Sequence, residues 1–213
     1  AWVLDDIRPL RALAADKAAV LEKPITVFEV PDAILVSWRE ADGTRFAADA
    51  MYAGDNRTSN ARISFWLNKN EKDTAAIKLT KVKVAIFDAK NDLIYTFYEK
   101  FNDGLNRIEW NLKEKGPKSP SMSEPSKDKE KDDPSGVSVL PGVYRVHVTY
   151  GAEKDSALVN VLEDPRLNIS IKDLEANQKF KREVAKNGAA MSEVADGLRN
   201  AKKEIGLIEA QLA

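Results

Sequence analysis

One histidine and no cysteine set the chemical limits of this 213-residue chain. The lack of cysteine removes disulfides, thiolate metal sites and thiol nucleophiles together. A serine–histidine–acid arrangement would have to use His147. That residue lies in the run Tyr144–Tyr150, in phase with Arg145 and Thr149. Strand alternation turns it away from Tyr144, Val146, Val148 and Tyr150, toward solvent. A structural zinc site draws its ligands from cysteine and histidine, so no metal or other cofactor is expected. Asp5-Asp6 and Asp132-Asp133 are the carboxylate pairs with calcium-binding chemistry. Adjacent residues on a strand face opposite ways, however, and the second pair falls in a stretch with no apolar anchor. Glycoside hydrolysis needs two carboxyl groups held about 5–10 Å apart across a cleft. Nothing in the spacing of the 34 acidic residues selects such a pair. No catalytic residue is assigned.

Two other groups of side chains could engage a partner. The first is aromatic: Trp2, Trp38, Trp66 and Trp110. Trp110 shares its phase with Ile108 and Leu112 and is expected in the core. Trp66 is opposite in phase to Ile63, Phe65 and Leu67, which places it either in solvent, as a platform for a glycan or peptide, or against residues 25–52. The second is a seam near the C-terminus. Phe180, Val184, Met191, Val194, Leu198, Ala201, Ile205, Ile208 and Leu212 recur at threes and fours, and from Met191 the spacing is that of a heptad. Met191, Val194, Leu198, Ile205, Ile208 and Leu212, with Trp66, form the candidate interaction surface. The seam either packs on its own domain or pairs with a second copy or another chain segment.

The elements that carry these residues read as follows. Residues 5–23 form a short helix or linker, with Pro9 in its first turn. Ile25–Val30 and Ala33–Trp38 are short strand candidates, and Asp42-Gly43 is a turn. Residues 61–67, 81–86, 93–98, 107–112, 143–150 and 156–162 alternate as strands, with turns at Asp88–Asp92 and Asn102–Gly104. Two antiparallel sheets packed face to face satisfy this pattern. Residues 113–136 carry four prolines and almost no apolar side chain, and are expected to be a solvated, mobile hairpin-like insertion without function. Ser170 and Asp173 make a capping-box start to a long amphipathic helix, which Gly188 could break into a hairpin.

Composition excludes two partner classes. Lys and Arg total 33 against 34 Asp and Glu, so no net charge draws the chain to nucleic acid. No apolar run reaches the roughly 18 residues of a membrane span.

Several stretches resemble one family. Ala1-Trp2-Val3-Leu4-Asp5-Asp6-Ile7-Arg8-Pro9-Leu10 is similar to the closing strand and exit of bacterial sortilin-type, BNR (Asp-box) β-propeller proteins, often labelled glycosyl hydrolases. Gly54-Asp55-Asn56, Val84–Ala89, Gly104–Leu112, Leu140–Val146 and Asp164-Pro165-Arg166 resemble the sandwich that follows that propeller. That sandwich is in turn similar to the immunoglobulin-like domain of the flagellar hook-capping protein. The resemblance implies a propeller exit strand and linker at 1–53. It implies an immunoglobulin-like β-sandwich at 54–166 and an amphipathic helix at 167–213. It also implies a bacterial secreted, periplasmic or cell-surface parent whose chemistry lies in a propeller upstream of Ala1. Asp42-Gly43-Thr44 lacks the rest of an Asp-box, and no catalytic residue of the family carries over. The expectation is a non-catalytic accessory module that partners its own propeller and assembles through the terminal helix. The alternatives are a glycan- or peptide-binding module, and a part of a glycosyl hydrolase.

Overall fold

The computed structural model describes residues 6–37, 58–69, 79–121, 123 and 130–212. Trp2, Asp5, Trp38, the Asp42-Gly43 turn and Gly54-Asp55-Asn56 lie outside the described residues. The protein is mainly β, an immunoglobulin-like sandwich followed by one long helix. Its elements in chain order are α1 (Arg8–Ala15), α2 (Lys17–Leu21), β1 (Ile25–Val27), β2 (Ala33–Leu35), β3 (Ala61–Leu67), β4 (Lys81–Phe87), β5 (Leu93–Lys100), β6 (Gly104–Trp110), β7 (Lys113–Lys115), β8 (Ser135–Ser138), β9 (Gly142–Tyr150), β10 (Glu153–Glu163) and α3 (Ile171–Leu212).

One sheet has the order β1-β3-β6 and the other β2-β10-β9-β4-β5, while β7 and β8 pair separately. All pairings are antiparallel except β2 with β10, where Ala33 aligns with Val161. The alternation read from the sequence sets the core. Ile63, Phe65, Leu67, Val82, Val84, Val146, Val148 and Trp110 are buried between the sheets, and residues of opposite parity face outward. The two short strand candidates of residues 25–35, placed by the sequence reading in a linker outside the sandwich, add one edge strand to each sheet.

The family-like motifs have local physical causes. Gly104 holds a positive φ of 91° and packs under the Trp66 ring. Two residues on, Asn106 accepts from the Asn102 amide through Oδ1 and donates to the Asn102 and Gly104 carbonyls, stapling the turn before β6. Trp110 then enters the core edge-on to Tyr144, with ring centroids 5.4 Å apart. The Tyr144 hydroxyl donates to the Leu140 carbonyl at 2.7 Å, the device known in sandwiches as a tyrosine corner. Burial first, and then the charge of Asp88, push the Tyr144 pKa up to about 12.

The outer face of the three-stranded sheet is covered by the N-terminal helices. Arg107 donates to the Asp6 carbonyl, Thr26 to that of Val20, and Asn68 to those of Leu21 and Lys23. Phe28 and Val20 are buried there, apart from the main core.

The insertion is hairpin-like at its ends, and it is held more closely than its composition implies. Its ends are strands, and Gly116 and Gly136 cross so closely that a Cβ on either would meet backbone within 2.8 Å. Asp133 and Asp132 are engaged by the sheet. Their carboxylates accept from the Thr96 and Tyr98 amides of edge strand β5, and the Asp133 amide donates to the Thr96 carbonyl. This closes a sheet edge that would otherwise offer itself to another chain. The paired ends have the hairpin-like form expected of the insertion, and the contacts of its described residues with β5 are what its composition did not show.

Candidate functional site

The helix α3 begins as its sequence directs. The Ser170 hydroxyl accepts from the Asp173 amide as an N-cap and donates to the Asp173 carboxylate, which gives the first half of the expected capping box without the reciprocal bond to the Ser170 amide. It then runs 42 residues without interruption, about 63 Å at 1.5 Å per residue. The break considered at Asn187-Gly188 is absent. A Cβ at Gly188 would lie 4.0 Å from the Pro117 ring of the insertion, an ordinary van der Waals contact.

The helix docks through a face that the sequence did not advertise. Gln178 donates to the Ser138 carbonyl of β8. Arg182 forms a bidentate pair with Glu114 of β7, which raises the guanidinium pKa. Arg199 donates to the carbonyls of Ser121 and Ser123 and pairs with Asp196. Ser192 is buried and Ala185 and Ala189 are half-buried between these anchors. The insertion, with the adjoining β8, is thus the bracket that holds the helix. Small and polar residues at threes and fours were the available signal, and the louder apolar periodicity masked it.

That apolar periodicity lies on the other side. In heptad terms Val184, Met191, Leu198, Ile205 and Leu212 take position a, and Phe180, Asn187, Val194, Ala201 and Ile208 take position d. The docked residues Gln178, Arg182, Ala185, Ala189, Ser192, Asp196 and Arg199 fall at b and f, opposite the seam. The large seam side chains are accordingly exposed, from 52% at Val184 to 84% at Leu212. The choice left open by the sequence is settled for this chain's own fold: the seam does not pack on the sandwich. Residues 200–212 are exposed on every face.

The remaining candidates are placed as follows. Trp66 is half-buried on the outer face of β3. Its Nε1 donates to Asn68 Oδ1, and Asn68 in turn holds the end of α2, so the indole belongs to the contact with residues 21–26. Trp110 is fully buried and donates to the Lys113 carbonyl. His147 faces outward as alternation requires but is half-covered, its ring tilted 46° against that of Phe87 with centroids 4.8 Å apart. Burial first, then Lys154 and Arg145, lower its pKa.

A cleft of about 340 Å³ opens between β2, the start of β3 and the Asp164-Pro165-Arg166 turn. Of the four ionisable side chains that line it, Asp32, Arg62, Asp164 and Arg166, the last two close on each other. Arg166 clasps both oxygens of Asp164, at 2.9 and 2.6 Å, and the Ser37 amide donates to the same carboxylate. The Arg166 fork, above all, holds the Asp164 carboxyl well below the usual carboxylate range. Among the described residues, no group of three or more acids and histidine is placed to hold a metal ion. Among the same residues, no helix is long and apolar enough to cross a membrane.

No protein-family model matches the chain, and no curated protein matches it significantly.

Proposed function

We propose that this chain is a non-catalytic assembly module, a β-sandwich that presents the a/d seam of α3 to a partner. The observation that carries this reading is the opposition of the two helix faces. Polar and small residues anchor α3 to the insertion and β8, while the large apolar side chains stand in solvent on the far side. Contiguous apolar surface of this extent marks an interaction site. A coiled-coil seam is the form of such surface with the most regular geometry.

The module is further proposed to be the C-terminal portion of a secreted or envelope Asp-box propeller protein, as the sequence resemblance implies. The Gly104–Trp110 turn and the Leu140–Tyr144 corner support this, since both family-like motifs have a structural task here. In such a parent, glycoside chemistry would belong to the propeller. An upstream sequence without Asp-box repeats would refute the parentage and leave the assembly reading intact.

The test of assembly is sedimentation equilibrium on the full chain. A self-associating species is expected at micromolar concentration. The double substitution Val194→Asp/Leu198→Glu, at two exposed positions, should return it to monomer with unchanged circular dichroism. A wild-type chain that stays monomeric up to about 100 μM would refute self-assembly, since a Kd above that range corresponds to less than about 6 kcal/mol of association.

A further inference from the structure

The charges that flank the seam identify its occupant and the direction in which it lies. This rests on the assembly reading above and goes on to name the partner and its orientation. We infer that α3 pairs with α3 of a second copy, antiparallel, over residues 180–212.

In a parallel pair each a or d residue meets its own copy, and each g position faces the e position of the next heptad on the partner. The facing pairs would be Glu183 with Gly188, Ala190 with Ala195, Gly197 with Lys202, and Glu204 with Glu209. The last is a like-charge pair, present twice by symmetry, and no opposite-charge pair compensates. In an antiparallel pair every a residue faces a d residue, and flanking positions meet as e with e and g with g. With the seams overlapped end to end, Phe180 faces Leu212, Val184 faces Ile208, Met191 faces Ala201 and Val194 faces Leu198. The flanks then place Lys181 opposite Glu209, an attractive pair present twice, and no like charges meet. At the crossing point Ala195 and Gly197 each meet their own copy, so nothing bulky stands between the helices.

Side-chain volumes agree. A parallel pair would stack Ala201 on Ala201 and Met191 on Met191, leaving a gap in one layer and crowding in another. The antiparallel pair sets the long Met191 against the small Ala201. Asn187 argues the other way, because in parallel it would meet its own amide, whereas here it faces Ile205. A single Asn contact is weighed against two like-charge pairs and an empty layer.

The body of the protein permits this arrangement. The sandwich and insertion occupy the b/f face from Gln178 to Arg199, so each body lies outboard of its own helix, at opposite ends of the pair. The overhanging segment 200–212 of each chain, exposed on every face, comes to rest on residues 180–192 of the other, where the insertion braces the helix. An exposed helical end of this length is marginal alone in water. The pairing supplies its missing face.

One exposed substitution separates the two orientations by sign. Glu209→Lys puts a second cation opposite Lys181 in the antiparallel pair. It should raise the dimer Kd roughly tenfold at low salt, two exposed pairs changing from attraction to repulsion. Adding Lys181→Glu should restore the affinity. In a parallel pair Glu209→Lys would relieve the repulsion with Glu204 and tighten the dimer. The chain has no cysteine of its own, so cross-linking gives a second readout. Leu212→Cys mixed with Phe180→Cys should form a disulfide-linked dimer, and Leu212→Cys alone should not. A tighter or unchanged dimer with Glu209→Lys, or a Leu212→Cys self-disulfide, overturns the antiparallel inference and leaves assembly standing. A chain that never dimerises overturns both.

Discussion

At the scale of single residues, position in the sandwich decides what each titratable group can do. His147 sits on the outer face of β9 with Phe87 against its ring and with Arg145 and Lys154 nearby. Burial and these cations disfavour the imidazolium, so its folded-state pKa lies below the ordinary 6.5. The sign follows from linkage. Above about pH 6.5 the ring is neutral in both states and stability is intact. As the pH falls below that value the unfolded chain takes up a proton that the folded chain resists, and stability is lost. His147→Gln should therefore flatten the decline in melting temperature between pH 7 and pH 5, with little change at pH 8. A decline equally steep in the variant would show that other groups carry it. Asp164 behaves oppositely. Clasped by Arg166, it keeps its charge far into acid and acts as a fastener between the end of β10 and Ser37, not as a general acid.

At the scale of elements, the insertion and the terminal helix depend on each other. The insertion closes the β5 edge through Asp132 and Asp133, and it grips α3 through Glu114, Ser121 and Ser123. Gly116 and Gly136 are what allow its two arms to cross. A Cβ at position 136 would fall 2.8 Å from the Glu114 carbonyl and from the Gly116 backbone. Gly136→Ala should cost about 1–3 kcal/mol, the usual range for forced overpacking. It should also speed amide hydrogen exchange along α3 between Arg182 and Arg199. Unaltered exchange there would mean that the helix holds its place without the bracket. The sequence showed this region as prolines, serines and mixed charge, the composition of a solvated loop. Its order comes from pairings with β5 and α3, and no window confined to 113–136 contains the partners.

At the scale of the whole molecule, the sandwich is complete by itself and the helix is not. The core between the sheets is filled by β-branched and aromatic side chains. The seam of α3, by contrast, leaves large apolar side chains more than half exposed over several turns. Anything that binds only the folded state stabilises it by mass action. Raising the protein concentration a hundredfold should therefore raise the thermal midpoint of the full chain. A chain ending at Asn200 should lose that dependence while keeping the sandwich, because the removed segment is exposed on every face. A midpoint independent of concentration in the full chain would count against the assembly reading.

Local pattern alone determined six strands between Ala61 and Leu162, all there but β7 and β8, together with the inward set of apolar residues, the capped start of α3 and its heptad seam. Each of these rests on a periodicity of two or of three to four, or on a capping pair within one turn, and such signals are contained in neighbouring residues. Tertiary structure decided that β1 and β2 enter the sheets, that Trp66 serves the N-terminal helices, that Asp132 and Asp133 close a strand edge, and which face of α3 is docked. Those outcomes join residues tens of positions apart, where long-range geometry chooses among partners that local propensity leaves equivalent. The helix shows the difference most plainly. Its sequence defined an apolar face, but only the placement of Glu114, Ser138 and Ser121 on the opposite side left that face uncovered.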